Sequence, residues 1–125
     1  QYKREIGMMT YGLVVCCETE KEAQQKYKYI IEKGDWEAAH TILGLLGIES
    51  ESFTEQHLTE FAERFIAGWG GYPLVGTPEQ VVDELCKLSQ VGFDGMILCW
   101  LDYNEEIKYF GEKILPLMRQ AGLRQ

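Results

Sequence analysis

Residues 8–22 read Met8-Met9-Thr10-Tyr11-Gly12-Leu13-Val14-Val15-Cys16-Cys17-Glu18-Thr19-Glu20-Lys21-Glu22. The first ten are nearly continuously apolar, with β-branched and aromatic members. A strand covered on both faces reads this way, and such strands belong to parallel sheets. The chain then turns at Glu18. The Thr19 hydroxyl can accept from a free backbone N–H while Glu22 reaches back, and Ala23, Tyr27, Ile30 and Ile31 follow at helical spacing until Gly34. A buried strand feeding straight into an amphipathic helix predicts an α/β protein.

The same code returns near the other end. After Leu74-Val75-Gly76, Thr77 is a cap, Pro78 stands at the first helical position where its missing N–H costs nothing, and Gln80 completes a box. Val81, Val82, Leu85 and Leu88 form the buried face of that helix, and Gly92 ends it. Met96-Ile97-Leu98-Cys99-Trp100 reads as a second buried strand. Asp102 or Asn104 then caps a last helix carrying Ile107, Phe110, Ile114 and Leu117. Pro116 removes one hydrogen bond there, which predicts a kink or a tightening near Leu115.

Between the two units, residues 34–73 are helical without a convincing strand and read as an insertion. Asp35 caps a helix with Trp36, Ala39, Leu43 and Leu46 on one stripe. Thr54 caps a stronger one with Leu58, Phe61, Ala62, Phe65, Ile66 and Trp69. The insertion ends in Gly68-Trp69-Gly70-Gly71-Tyr72-Pro73, a flexible aromatic loop. No internal repeat or low-complexity tract interrupts the chain.

Composition narrows the functions. The 125 residues carry 12 basic and 20 acidic groups, a formal net charge of −8. Phosphate neutralisation needs clustered Lys and Arg, so nucleic acid and anionic membrane surfaces are disfavoured as partners. No apolar stretch approaches the roughly 20 residues of a spanning helix, and no segment has the layout of a signal peptide. Cys16, Cys17, Cys86 and Cys99 lack zinc spacing and lie in apolar or helical segments, as reduced core thiols of a cytoplasmic protein do. His40 and His57 have no partner at helical spacing and no carboxylate cluster, so no metal site is expected. Phosphate-cradling glycine motifs are absent. Gln1 is not an initiator methionine, which is expected of a chain that begins inside a longer one and equally of terminal processing or tag removal.

Three strings carry a resemblance: Leu74-Val75-Gly76-Thr77-Pro78-Glu79-Gln80-Val81-Val82, Gly92-Phe93-Asp94-Gly95, and Phe110-Gly111-Glu112-Lys113-Ile114-Leu115-Pro116-Leu117-Met118. Together they resemble the carboxyl-terminal part of the bacterial luciferase-like flavin monooxygenases. The pyrimidine and dimethylsulfone branch is the nearest in kind, since Trp100, Asp102 and Tyr103 fall where it has an aromatic, an acid and an aromatic. The resemblance runs over nearly the whole chain and thins between Gly34 and Phe65. It implies a partial (β/α)8 TIM barrel, a single partial domain over 1–125, with Thr10 to Cys17 as the seventh strand and Met96 to Trp100 as the eighth. A complete barrel needs about 250 residues, so only part of one is present. It also implies reduced FMN supplied by a separate flavin reductase, O2 as co-substrate and a small organic substrate to be oxygenated. Most flavin contacts would lie in the absent strands, so no cofactor-binding residue and no catalytic residue is assigned here.

The resemblance makes the 34–73 insertion the mobile lid of the active site. Oxygen chemistry on a flavin needs a pocket that closes and excludes water. Gly68, Gly70 and Gly71 can hinge such a lid, and Trp69 and Tyr72 can cover a flat ring; an ordinary glycine-rich turn whose aromatics pack on the rim satisfies the same pattern. Some relatives in the family carry an arginine in this loop for anionic substrates, where this chain has Ala67. Trp100 stands at the carboxyl edge, where barrels carry their chemistry, and lines either the pocket or a neighbouring helix. Asp102 can serve proton transfer, yet it stands where an N-cap is required. Tyr103 need not aim inward from its turn. Glu18 is a relay candidate or a solvated turn residue. Neither Cys16 nor Cys17 has a neighbouring base or cation in sequence that would make it a nucleophile.

Two parallel strands cannot cover the apolar faces of five helices, so a homo-oligomer is expected, with Leu58, Phe61, Phe65 and Trp69 as its shared stripe. The main expectation is part of a flavin monooxygenase, inactive alone. The alternative is a non-catalytic, self-associating α/β module derived from that fold.

Overall fold

The computed structural model describes residues 4–48 and 53–124; residues 49–52 of the insertion lie outside the described residues. Strand β1 (Met9–Cys16) is followed by α1 (Glu20–Glu32), α2 (Trp36–Leu45) and α3 (Glu55–Gly68). Then come β2 (Tyr72–Gly76), α4 (Pro78–Val91), β3 (Gly95–Cys99), α5 (Tyr103–Tyr109), a π-helical turn (Phe110–Ile114) and α6 (Leu115–Gln120). Every cap read from the sequence forms. Thr19 and Thr77 make complete capping boxes, and Asp35, Thr54 and Asp102 each accept a backbone N–H in the first turn of their helices.

The sheet holds three parallel strands in the order β2-β1-β3, where the sequence reading has two. The added strand is β2, which replaces the end of the predicted aromatic loop. Five residues with a proline inside and glycines at its borders carry little strand signal. Pro73 is tolerated because β2 is an edge strand, where a missing N–H breaks no second ladder. The two strands that were legible, β1 and β3, pair directly. β1 is the longest and most apolar, and both of its edges are used.

The two flanking strands are staggered. β2 begins opposite Gly12 and β3 opposite Met9, three residues earlier along β1. Because successive side chains of a strand point to opposite faces, alternate residues of β1 enter two cores. Val14 packs with Leu74, Val81, Val82, Leu85, Phe110 and Ile114 under α4 and the last helices. Leu13 and Val15 pack with Ile30, Ile31, Ala67 and Cys99 under α1 and α3. A third cluster joins α2 to α3 through Ala39, Leu43 and Ala62.

That third cluster corrects part of the expected intermolecular stripe. Phe61 and Phe65 pack within the chain against Ala39 and Leu43, leaving Trp69, 71% exposed, as the bare member. The last helix also differs from expectation. Pro116 offers no N–H to the carbonyl four residues back, and the Leu115 N–H bonds the Phe110 carbonyl five residues back. The helix widens there instead of tightening, and the wide turn buries both Phe110 and Ile114.

Candidate functional site

The stagger brings the end of α3 and the start of β2 to the height of the end of β3, so predicted residues far apart in sequence meet around Tyr11. A Cβ built on Gly68 would stand 3.0 Å from Leu13 Cβ and 3.3 Å from Cys99 Sγ, and one on Gly71 would stand 2.7 Å from the Tyr11 ring. Hydrogen bonding with the Cys99 thiol, then burial, then the nearby Cys99 and Tyr103 charges push the Tyr11 hydroxyl up to about 12. Tyr11 is therefore a neutral donor at physiological pH, unsuited to act as a base.

The glycine loop itself is a hydrogen-bonded helix terminus. Trp69 N–H bonds Phe65 O, Gly70 N–H bonds Arg64 O and Gly71 N–H bonds Gly68 O, at 3.2, 2.9 and 3.0 Å. Trp69 takes the left-handed conformation, with φ of 54°, and its ring lies edge-on to Phe65. Tyr72 points its hydroxyl to Glu84 Oε2 at 2.9 Å, and burial followed by this bond raises its pKa.

The second group sits at the carboxyl edge. Trp100 is packed edge-on between Tyr103 and Phe110, with ring centroids 5.6 and 5.4 Å away. Its indole Nε1–H is buried without a hydrogen-bond partner, the sole such side-chain atom among the described residues. A buried donor left unpaired costs about 1–3 kcal/mol, and this one borders a small gap beside Cys16, Glu106 and Tyr109. Asp102 is committed to capping, accepting from Asn104 N–H at 3.0 Å. Tyr103 is half exposed in the first turn of α5.

Sequence reading missed the polar network that surrounds this edge. The Tyr109 hydroxyl donates to Glu18 Oε1 at 3.1 Å across the sheet. Lys26 pairs with Glu106, whose other oxygen accepts the Asp102 N–H at 2.6 Å. Burial, then the Glu18 bond, raise the Tyr109 pKa strongly. Burial, with the acidic neighbours behind it, pushes the Cys16 thiol up to about 12. The Cys17 thiol is also raised by burial, against the opposing pull of Lys26. Neither is a thiolate at neutral pH, so neither is a nucleophile. Glu18 at the strand end was the one legible signal of this network. Lys26 lies on α1 while Glu106 and Tyr109 stand three residues apart on α5, and the two helices meet only through the fold. Among the described residues no group of His, Cys, Asp and Glu could hold a metal ion, and no helix is long and apolar enough to cross a membrane.

A parallel strand–helix sheet with an aromatic-lined carboxyl edge is the arrangement of a β/α barrel segment. No family model matches the chain. The FMNH2-dependent dimethylsulfone monooxygenase of Pseudomonas fluorescens is 30% identical over 93% of this chain and 33% of its own length. The pyrimidine monooxygenase RutA of Acinetobacter baylyi is 26% identical over 94% of the chain and 32% of its own. Among solved structures, the riboflavin lyase RcaE, crystallised with modified FMN and riboflavin, superposes with a TM-score of 0.71 at 22% identity, over 96% of this chain and 32% of that one. The chain thus spans about a third of the length of the curated relatives it matches. Over that third the chain is similar to FMNH2-dependent monooxygenases, and its fold is part of the TIM barrel of the luciferase-like proteins.

FMN carries a dianionic phosphate, which needs converging N–H donors or cations. The opening at the carboxyl edge, about 390 Å³, is lined by Cys16, Glu105, Glu106, Lys108, Tyr109 and Glu112. Three carboxylates face one ammonium, and the nearby Lys26 is engaged by Glu106. These residues do not fit the flavin phosphate by themselves.

Proposed function

We propose that this chain is the carboxyl-terminal part of a barrel enzyme that uses reduced FMN, supplied by a flavin reductase, and O2 to oxygenate a small organic substrate. The observation that carries the reading is the carboxyl edge: Trp100 presents a buried, unpartnered indole N–H in a chain similar to FMNH2-dependent monooxygenases over nearly all its length. In the whole enzyme Tyr103, half exposed at the start of α5, forms part of the substrate wall, Trp100 packs behind it against Phe110, and Asp102 holds α5 in place. Gly68, Trp69, Gly70, Gly71 and Tyr72 form the neighbouring rim and lid. The acidic lining leaves flavin binding to the rest of the barrel, so the chain alone neither binds FMN nor turns over. Its setting is the cytoplasm, where the reductase and reduced thiols are available.

Expression of the whole reading frame that contains these residues tests this. Flavin-dependent oxygen uptake with a reductase supports the reading, and a full-frame protein without flavin affinity overturns it. Stoichiometric quenching of FMN fluorescence by the 125-residue chain would equally overturn the assignment of the flavin site to other strands.

One observation favours a second reading, a self-associating module without catalysis. β3 has an unpaired edge, and Met9 and Ile97, 63% and 58% exposed, stand bare beside it. Such an edge is a template for a further strand, which a second copy can supply. A stable homo-oligomer with no oxygen uptake from the full frame is the outcome of this reading.

A further inference from the structure

The amino edge of the sheet, at the far end from Trp100, holds a cleft of about 170 Å³ between α4, β3 and α6. Leu85, Leu88, Met96, Phe110 and Met118 supply its apolar wall. Two charged residues reach it. Asp94 is already engaged, with Oδ2 accepting the Met8 N–H at 2.7 Å. Arg124 has no ion pair or hydrogen bond among the described residues. An apolar cavity of about 150 Å³ holds a benzene-sized molecule, so the space suits a tail of about six to eight carbons. Arg124 is exposed at the rim, and its guanidinium matches a carboxylate in a bidentate fork.

We propose that this cleft binds a small apolar monocarboxylate, with the tail among Leu85, Leu88, Met96 and Met118 and the carboxylate on Arg124. The site opens at the amino edge, shares only Phe110 with the gap beside Trp100, and does not rest on the flavin reading. Mobile methionines in the wall allow it to accept alkyl chains of differing length.

Titration of the 125-residue chain with octanoate, followed by methyl NMR of Met96 and Met118, tests the proposal. Saturable one-to-one binding with shifts confined to the cleft is expected. Octanol should bind about tenfold more weakly, the loss of one charge-assisted bond. Arg124→Gln should lose a similar factor, and Ser89→Trp, which fills the mouth from an exposed position, should abolish binding. Absence of saturable shifts, or binding that survives both substitutions unchanged, overturns the proposal. Shifts of the same methyls with protein concentration alone would make a second copy the occupant, and would also overturn it.

Discussion

A methyl group added at Gly34 would put its carbon 2.0 Å from Ile66 Cγ2 and 3.1 Å from Ile66 Cβ. Ile66 is β-branched and stiff at χ1, so it cannot swing clear without opening the seam between α1 and α3. Gly34→Ala is expected to lower stability by about 1–3 kcal/mol, as overpacking does, measured by urea denaturation. The glycine was read from sequence as a helix stop, and the close approach adds a second reason that only the fold reveals. Cys16 carries a pH prediction. Its thiol rises from 9.0 to about 12 on folding, chiefly through burial. Between these values the native chain holds a proton that the unfolded chain has released, so stability is full below pH 9 and falls as pH rises toward 12. Cys16→Ala should flatten that part of the alkaline profile of the urea midpoint. An unchanged profile would mean that Cys16 ionises as readily in the folded chain as in the unfolded one.

At the scale of elements, helix starts were the most legible feature, because a cap is a local bargain between one side chain and the next three residues. The Thr77 box closes with Thr77 N–H to Gln80 Oε1 at 2.9 Å and Gln80 N–H to Thr77 Oγ1 at 3.4 Å. Thr77→Ala should cost about 1 kcal/mol, readable as a lower thermal midpoint, with Thr77→Ser retaining most of the difference. Elements that depend on distant partners were not legible. β2 exists because β1 offers an edge to Tyr72–Gly76, and no periodicity within five residues announces that. The π-helical turn shows a third case. The sequence located the disturbance at Pro116 as a kink or a tightening, but a widened turn accommodates the missing N–H equally well. Burial of Phe110 and Ile114 together decides for widening.

For the whole molecule, the covering of the sheet is uneven. One face is covered by α4, the π-helical turn and α6, apart from the cleft at its amino end. On the other, α1 and α3 close over Leu13, Val15 and Cys99, at the upper end, and stop short of Met9 and Ile97. The sequence foresaw too little sheet for its helices; the fold does leave helix side chains such as Leu45 and Val91 bare, and it leaves strand surface bare as well. That surface lies at the unpaired edge of β3, where backbone donors and acceptors stand beside exposed apolar side chains. Such an edge is a template for another strand, whether from the rest of a barrel or from a second copy. Isolated at high concentration, the chain should therefore self-associate through β3. Ile97→Lys puts a charge on the bare face without touching either core, since Ile97 is 58% exposed. Sedimentation velocity should then show the variant as a monomer at concentrations where the parent is not, with the far-ultraviolet circular dichroism unchanged. If the parent is already monomeric, the edge is silent in isolation; if the variant still associates, the contact runs through exposed Trp69 at the end of α3 instead, and Trp69→Ala is the substitution that dissolves it.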